Sequence, residues 1–367
     1  MTAPWLLNLL LYRQETSGFS RYVERVVPLL RGRRLWLDPV AGDDAPGLGD
    51  ALPLVDAVSP SRRWLQKLSL AQHGLGLRQR LLQSDCNHLE AVYSPFCDYL
   101  FAASHLPQVI TCHDLTPLFY PGSLRSHWRY RLWTPVHLRR ATQVIAISRF
   151  VADQLLNVGV PHHRITIIPN GIAIERPPVS VTATQDWLVV ARHDRNKNLI
   201  PVIRAFGLFL RQHHHWQGSL VIVGRCGRET ENLLRTTQEL GLSARVQFVA
   251  SLHQQALVER LRSAFALISA SLMEGFDYPV LEAKAEGVPT LISDIPVHRE
   301  WHTDSSLLFP CGSDPSGLAS VMGVLADDAR LWRQLSLSGY ALAQQLSLRQ
   351  QVNAIEQVIG NVAGVGR

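Results

Sequence analysis

Residues 269–294 read SASLMEGFDYPVLEAKAEGVPTLISD and combine a strand, a polar loop, a helix and a second strand. The apolar run at the start predicts the first strand, Pro279 suits the first turn of the helix, and Gly287 suits its end. A loop between a strand and a helix lies at the carboxyl edge of a parallel sheet, where the helix N-terminus favours a phosphate group. The segment therefore predicts an anion site with two carboxylates nearby, Glu274 on the loop and Glu282 one turn into the helix.

The chain around this segment alternates short apolar runs with amphipathic ones, which is typical of a parallel sheet covered by helices. Strand candidates in the second half lie at 186–191, 219–224, 246–250, 265–271 and 288–293, and helix candidates at 198–214 and 255–263. Those in the first half, which alternates less regularly, lie near 5–11, 91–94, 108–112, 143–147 and 165–168. The pattern predicts the α/β class, with two Rossmann-like doubly wound domains.

The domain boundary is expected within residues 171–187, which carry two prolines and a Ser/Thr-rich stretch. We place an N-terminal domain at 1–175, a linker at 176–185 and a C-terminal domain at 186–349. A helix over 350–367 is expected to complete the N-terminal domain. Two such domains facing each other leave a cleft between their strand ends, and clefts of this kind are preferred ligand sites.

The net charge of +6 is concentrated in the first half, because residues 1–184 contain 19 Lys and Arg against 13 Asp and Glu. The excess lies mainly in 61–83 and 124–140, where Arg and Lys alternate with Trp, Tyr and Leu. Such segments suit either two solvated surface helices or a face that contacts anionic lipid. No nucleic-acid-binding motif accompanies the charge, so we expect no nucleic acid partner.

The five cysteines are far apart and lack the spacing of a zinc site or a disulfide framework, so we expect free thiols and no metal. The N-terminal run WLLNLLLY has no basic residues before it and no cleavage site, which predicts a buried strand rather than a signal peptide. No apolar run reaches the length of a membrane span. We therefore expect a cytoplasmic protein, and peripheral attachment to the inner face of the plasma membrane stays open.

From spacing alone, Glu274 and Glu282 are two unconnected surface glutamates. Their segment, however, resembles the pattern EGFGLPxLEAMAxGxPV of glycosyltransferase family 4, with differences at Asp277, where the family has Gly, and at Tyr278, where it has Leu. These differences predict a changed loop shape and leave both carboxylates in place. The resemblance implies that Glu274 contacts the donor sugar, that Glu282 contacts the nucleotide ribose, and that Gly275 and Phe276 belong to the same donor-binding loop.

A second resemblance lies in VVARHDRNKNL (189–199), which follows a predicted strand and is similar to the family motif G-R-x-x-x-x-K-N, with Ala191 in place of Gly. It implies that Arg192 and Lys197 hold the donor diphosphate. Fixed cations stabilise the negative charge that develops on a leaving nucleoside diphosphate, and they do so without a metal. The residues alone leave open a basic loop that makes only surface ion pairs.

Two segments of the first half carry weaker matches. TCHDLTPLFYP (111–121) resembles the H-D-x-x-P loop of the family, which implies that His113 approaches the donor sugar. ETSGFSRYVERVV (15–27) resembles the glycine-rich first loop, in which Gly18 is retained. Without the resemblance, a single histidine after a strand is more often structural.

Taken together, these matches imply a retaining GT-B hexosyltransferase that needs neither metal nor cofactor, with four catalytic residues, His113, Arg192, Lys197 and Glu274. The string SDIPVHREW (293–301) resembles bacterial mannosyltransferases of surface-polysaccharide assembly, which favours GDP-mannose as the donor and a lipid-linked glycan as the acceptor. UDP-glucose, a UDP-N-acetyl sugar and another GDP-hexose are alternative donors. A sugar-nucleotide epimerase and a non-catalytic nucleotide-sugar-binding protein are the alternative functions.

Overall fold

A computed structural model describes residues 5–9, 18–31, 33–35, 51–52, 78, 89–120, 124–179 and 184–364 of the chain. The chain divides into two compact units. The first unit combines Met1–Pro169 with Leu348–Arg367, and the second is Asn170–Ser347.

The first unit contains a parallel sheet with the strand order β3-β2-β1-β4-β5-β6-β7 among the described residues. Its strands are β1 (Trp5–Asn8), β2 (Arg33–Leu35), β3 (Ala51–Leu52), β4 (Ala91–Ser94), β5 (Gln108–Cys112), β6 (Gln143–Ala146) and β7 (Ile165–Ile167). Its helices are α1 (Gly18–Val26), α2 (Leu124–Arg140), α3 (Arg149–Asn157) and, after the second unit, α11 (Leu348–Gly364). The central strands β4 and β5 are buried along their whole length, which explains why their sequences are rich in apolar residues.

The second unit contains a parallel sheet with the order β10-β9-β8-β11-β12-β13. Its strands are β8 (Trp187–Val190), β9 (Leu220–Val223), β10 (Val246–Val249), β11 (Ala266–Ser269), β12 (Thr290–Ser293) and β13 (Leu307–Phe309). Its helices are α4 (Leu199–Gln212), α5 (Thr230–Glu239), α6 (Gln254–Ser263), α7 (Tyr278–Ala285), α8 (Pro296–His302), α9 (Ser316–Asp327) and α10 (Ala329–Gln345).

Helices cover both faces of the second sheet. Successive residues of a strand point to opposite faces, so neighbouring residues of β8 pack against different helices. Trp187 and Val189 belong to one buried apolar cluster, which also contains Phe206 of α4. Leu188, between them, belongs to a second cluster with Val280 of α7. The predicted α/β class with two doubly wound parallel sheets is confirmed.

The strand order of the second sheet reverses between β8 and β11, which are direct neighbours with Ala266 opposite Trp187 and Leu267 opposite Leu188. Chain connections leave this point in opposite directions, so a crevice opens beyond the carboxyl ends of the two strands. The loop after β8 contains Lys197, and the loop after β11 contains Glu274. The topology therefore brings the two predicted donor-binding loops to one place.

The chain passes from the first unit to the second after Pro169, a few residues before the predicted boundary. The N–H of Ile172 donates to the carbonyl of Leu346 at 2.8 Å, and the N–H of Val179 donates to the carbonyl of Glu286 at 2.9 Å. These hydrogen bonds attach residues 170–179, including the described part of the predicted linker, to the second unit.

Helix α11 returns to the first unit, where it packs against α1, β4 and β5. It begins at Leu348, two residues before the predicted start, and its buried residues include Val352, Ile355 and Ile359. Glu356 accepts hydrogen bonds from the guanidinium of Arg31, with a shortest N–O distance of 2.7 Å. An apolar stripe with helical spacing therefore fixes this helix to the sheet.

Candidate functional site

The loops after β8 and β11 meet at the crevice of the second unit. The N–H of Leu272 donates to the carbonyl of Asn196 at 2.8 Å, which ties the two loops together. A small concavity between the strand ends is lined by residues of both loops, among them Ala191, Lys197, Ser271 and Asp277.

Lys197 and Glu274 contact each other directly in this crevice. The ammonium group of Lys197 donates a short hydrogen bond to Oε1 of Glu274, and the two side chains are only 18% and 14% exposed. Burial lowers the pKa of Lys197, but the charges of Glu274 and Asp277 outweigh it and raise the pKa overall. The crevice thus holds a charged lysine beside a carboxylate.

Arg192 lies on the same loop as Lys197 and is more accessible. Its side chain is 55% exposed and pairs with Asp194 at 3.1 Å. Its positive charge acts on Lys197 and opposes the protonation of that residue. The crevice therefore carries two neighbouring cations, the half-buried Lys197 and the exposed Arg192. Two adjacent positive charges suit a diphosphate.

The loop that carries these cations is held by close backbone contacts with the loop after β9. A Cβ atom at Gly224 would lie 1.9 Å from the carbonyl oxygen of Ala191, and one at Gly227 would lie 2.4 Å from that of His193. The His193 ring is buried against Phe248 and hydrogen-bonds Thr230 through Nδ1 at 3.0 Å. His193 is thus part of the scaffold of this loop.

Asp277 precedes α7 in a left-handed backbone conformation, with φ 71° and ψ 71°. Glycine adopts this conformation most readily, so the loop keeps a backbone shape that suits the family's glycine. The predicted change of loop shape at Asp277 is not apparent at this residue. Its side chain makes no capping hydrogen bond to α7.

The carboxylate of Asp277 instead points into the protein. It accepts hydrogen bonds from Ser269 Oγ and from Nε2 of His298, the latter at 3.0 Å, and both ring and carboxylate are almost fully buried. Burial raises the pKa of Asp277, but the hydrogen bond and charge of His298, together with Lys197, lower it to about 2. The carboxylate is therefore charged throughout the physiological range.

Sequence reasoning missed this interaction. The two residues are 21 positions apart, on a loop and on α8. The available signals were an acidic residue at a family glycine and a histidine in the string SDIPVHREW. Neither signal alone indicates that Asp277 and His298 are partners.

The other predicted donor-binding residues of this segment differ in exposure. Glu282 lies in α7 and is 4% exposed, and Gly275 lies on the loop. Phe276 is 2% exposed, and its ring packs near Tyr278 and Trp301, with centroid distances of 6.0 and 6.1 Å. The Phe276 ring therefore anchors the loop.

His113 follows β5 in the first unit and is buried. Its Nε2 atom lies 2.8 Å from the carbonyl oxygen of Pro95, which can only accept, so Nε2 carries the proton. The rings of Phe19 and Tyr22 pack edge-to-face on the imidazole, at centroid distances of 5.1 and 4.4 Å. Burial lowers the pKa of His113 to about 4, despite the opposing hydrogen bond to Pro95. The imidazole is therefore neutral at physiological pH.

A chain of buried hydroxyl groups lies next to this histidine. The hydroxyls of Tyr22 and Tyr93 are 2.8 Å apart, and Tyr93 is 2.8 Å from Thr111. Burial raises the pKa of Tyr22 to about 12. Gly18 is the first residue of α1, and the loop before it lies outside the described residues.

Two further searches were confined to the described parts of the chain. They contain no group of three or more His, Cys, Asp or Glu side chains arranged to hold a metal ion. They also contain no helix that combines the length and the apolar character needed to cross a bilayer. The basic segment 61–83 lies outside the described residues, except for the exposed Arg78.

Two family models match adjacent parts of this chain. The model for Glycosyltransferase Family 4 matches residues 16–176, and the model for Glycosyl transferases group 1 matches residues 175–336. Together they span residues 16–336, which include every described strand except β1 and every predicted site residue.

Curated relatives match over part of their length. The chain is 27% identical over 203 residues to the O-antigen chain mannosyltransferase RfbU of Salmonella typhimurium, which covers 54% of this chain and 56% of that protein. It is 28% identical over 220 residues to the GDP-mannose:cellobiosyl-diphosphopolyprenol alpha-mannosyltransferase of Xanthomonas oryzae, covering 58% and 57%. The chain thus spans just over half the length of these relatives.

Solved structures match over almost the whole chain. The HepE protein of Anabaena in complex with UDP and glucose has a TM-score of 0.74 at 15% identity, covering 97% of this chain and 99% of HepE. A sucrose-phosphate synthase from Thermosynechococcus elongatus has a TM-score of 0.76 at 17% identity, covering 99% of each chain. At this identity the matches show the fold, which is of the GT-B type.

Proposed function

Because the chain belongs to glycosyltransferase family 4, we propose that it is a retaining glycosyltransferase that moves a hexose from a nucleotide sugar to a glycan hydroxyl. The observation that carries the proposal is the contact of Lys197 with Glu274 at the point where the strand order reverses. A cation and a carboxylate in one crevice provide partners for a diphosphate and for a sugar hydroxyl.

In the proposed reaction, Lys197 and Arg192 bind the diphosphate of the donor. As Lys197 turns to the phosphates, Glu274 loses its internal partner and accepts hydrogen bonds from hydroxyls of the donor sugar. The acceptor oxygen attacks the anomeric carbon on the face from which the diphosphate leaves. The bond from that carbon to the phosphate oxygen breaks, and the acceptor proton passes to the departing oxygen. The two cations stabilise the charge that develops there.

We propose that the reaction needs neither a metal nor a cofactor, because Lys197 and Arg192 supply the positive charge. His113, neutral at physiological pH with its proton on Nε2, would accept a hydrogen bond through Nδ1 rather than act as a cation. Gly275 and Glu282 are proposed to contact the donor, with Glu282 at the ribose. Gly18, at the start of α1, is proposed to lie near the donor through its backbone.

Mannose from GDP-mannose is the proposed donor group, and a lipid-linked glycan of bacterial polysaccharide synthesis is the proposed acceptor. Support comes from the two relatives whose names specify mannosyl transfer, one from GDP-mannose to a diphosphopolyprenol-linked acceptor. UDP-glucose, a UDP-N-acetyl sugar and another GDP-hexose are the alternative donors.

The test is a thermal-shift series with GDP, UDP and their sugars, followed by incubation with the stabilising sugar nucleotide. We expect GDP and GDP-mannose to raise the melting temperature. When the protein is incubated with GDP-mannose and no added acceptor, we expect GDP to be released slowly. Stabilisation by UDP and not by GDP would change the proposed donor to a UDP-sugar, and the proposed transferase activity would stand. An epimerised sugar as the product would contradict the transferase itself.

Peripheral contact with the inner face of the plasma membrane is proposed for α2. On this helix Trp128 and Leu132, one turn apart, are 56% and 55% exposed, and Arg131 is exposed beside them. Exposed apolar and basic side chains on one helix suit an anionic lipid surface.

Vesicles of anionic lipid test this contact by sedimentation. The natural chain is expected to sediment with them, and Trp128→Ala with Leu132→Ala to sediment several-fold less. Leu337→Ala on α10 is the matched control, since Leu337 is 57% exposed but lies in the second unit. Equal binding to neutral vesicles would contradict the proposed contact.

A further inference from the structure

The acidic residue Asp277 stands directly before α7, the helix whose N-terminus is predicted from the sequence to favour a phosphate group. An aspartate at this position ordinarily turns its carboxylate onto the N–H of the second or third helix residue, which in α7 leaves Val280, since Pro279 has no N–H. A carboxylate there also takes up the positive end of the helix dipole. In that orientation Asp277 would repel a diphosphate from the place where it is proposed to bind.

The observed side chain is turned away from the helix. It makes no capping hydrogen bond and instead accepts from Ser269 Oγ on β11 and from His298 Nε2 on α8. The side chain of Asp277 is 3% exposed and that of His298 is not exposed at all. Both hydrogen-bond donors therefore lie in the interior, on the side of Asp277 that faces away from solvent.

Both ring nitrogens of His298 make hydrogen bonds. Its Nδ1 atom is 2.7 Å from the carbonyl oxygen of Ser293, which can only accept, so Nδ1 carries a proton. Its Nε2 atom is 3.0 Å from the carboxylate of Asp277. Both ring nitrogens are thus held by fixed partners, and removal of the ring leaves the buried carboxylate without this partner.

We propose that His298 is a positioning residue that holds the carboxylate of Asp277 away from the N-terminus of α7 and so keeps that helix end open for the diphosphate. This inference rests on the proposed function, because it requires a nucleotide donor whose diphosphate lies in this crevice. It also explains how an acidic residue occupies a family glycine position beside an anion site. Ser269 assists, since its hydroxyl donates to the same carboxylate oxygen.

The same pair influences Lys197. The carboxylate of Asp277 adds to that of Glu274 in attracting the Lys197 ammonium group. Loss of His298 removes the hydrogen bond that holds this carboxylate in the interior, so its negative charge can approach the phosphates and weaken their binding further.

The experiment is titration calorimetry with GDP and with UDP on the natural chain, His298→Ala, Asp277→Gly and the double variant. We expect His298→Ala to weaken nucleotide binding about tenfold, as a like charge costs on the order of one decade in affinity. Asp277→Gly is expected to bind at least as tightly as the natural chain. The double variant is expected to return to within about threefold of natural affinity, since it lacks the carboxylate that His298 restrains.

A merely structural role for the pair predicts a different pattern, in which all three variants bind more weakly and the double variant is no better than His298→Ala. That pattern overturns the inference. His213→Ala is the matched control, because His213 is also buried and paired with an aspartate, Asp327, at 3.2 Å. It lies just after the far end of α4 and is expected to reduce the melting temperature without changing nucleotide affinity.

If His298→Ala does not fold, Asp277→Gly and Asp277→Asn decide the question alone. Asparagine tolerates the left-handed conformation and carries no charge, so both variants are expected to keep or improve nucleotide affinity, and a tenfold loss in both overturns the inference. A natural chain that binds neither GDP nor UDP overturns the proposed function and this inference together. A natural chain that binds one of them, with an equal affinity in His298→Ala, overturns the inference alone.

Discussion

Lys197 and Glu274 lie 77 positions apart in the sequence, and each is the nearest opposite charge of the other. Any diphosphate that binds Lys197 has to compete with this contact. When the diphosphate replaces the Glu274 carboxylate, the Lys197 ammonium group still has a negatively charged partner. It also makes Glu274 available as an acceptor when the sugar arrives.

The substitution Lys197→Ala is expected to lower kcat by about a hundredfold or more, since loss of one group that stabilises developing charge costs that much. The acceptor KM is expected to change little. Initial rates of nucleotide release at saturating donor measure the effect. Arg195→Ala is the control, because Arg195 is an exposed cation on the same loop, at a variable position of the family motif. A variant at position 197 with natural kcat would contradict the assignment.

The pH dependence of stability tests the burial of His113. Its pKa is about 4 in the folded chain and about 6.5 when unfolded, so only the unfolded chain takes up this proton between those values. The stabilising contribution is therefore complete above pH 6.5 and is lost as the pH falls towards 4. Between pH 7 and 4.5 the natural chain is expected to lose about 2 kcal/mol more than His113→Gln, whose amide can still donate to Pro95. Urea unfolding at each pH measures the difference, and equal losses would contradict it.

At this scale the sequence motifs predicted which residues share the crevice but not how their neighbours restrain them. Lys197 and Glu274 follow adjacent strand ends, so their strands alone indicate proximity. The direction of the Asp277 carboxylate depends on where α8 carries His298, which no local pattern reveals. The burial of the Phe276 ring depends likewise on Trp301 of that helix.

At the scale of elements, most strands were predictable, including the edge strands β7 and β10, and three short strands were not. Strands β4 and β5 have the predicted bounds, 91–94 and 108–112, because buried strands are rich in apolar residues. β2, β3 and β13 were missed, and each has only two or three residues. Ser148 caps α3, as its Oγ accepts from the N–H of Val151 at 3.1 Å.

Helix α7 carries a buried lysine, Lys284, where the family pattern has Met. Its ammonium donates to the carbonyl of Ser305 at 2.8 Å and to Oγ of the same residue, and burial lowers its pKa to about 7. The unfolded chain holds this proton up to a pKa of about 10.4. Burial of the charged lysine therefore destabilises the fold fully below pH 7, and this destabilisation disappears as the pH rises to about 10.4.

Lys284→Met is therefore expected to raise the free energy of unfolding by about 1–2 kcal/mol at pH 7, with a smaller gain at pH 9.5. Lost hydrogen bonds to Ser305 offset part of the gain. Chemical denaturation at both pH values measures it. Arg333→Met on α10, at an exposed position, is the control and should give no pH-dependent gain. A gain that is equal at both pH values would show that the lysine proton is not its source.

At the scale of the whole molecule, the division into two units follows contacts that local composition does not reveal. The Pro-containing and Ser/Thr-rich composition of residues 171–187 indicated a linker. Hydrogen bonds from Ile172 and Val179 to residues far along the chain instead attach the start of this stretch to the second unit. Local composition predicts that a boundary is near, and long-range pairing decides its position.

Truncation after Ser347 is expected to destabilise the first unit and to leave the second intact. It removes several buried apolar side chains of α11, each worth roughly 1.5–3 kcal/mol, and the partner of Arg31. Thermal unfolding should then separate into two transitions, and limited proteolysis should cut first within 1–169. A single transition at the natural temperature would contradict this expectation.

The return of α11 to the first unit also sets an order for folding during synthesis. Residues 1–169 leave the ribosome first, but the helix that covers β4 and β5 follows only after all of residues 170–347. The nascent first unit therefore exposes the apolar surface that Val352, Ile355 and Ile359 later cover, while the second unit already has all its strands. Translation thus completes the second unit before the first, and pauses over 170–347 prolong the time in which a chaperone can bind that surface.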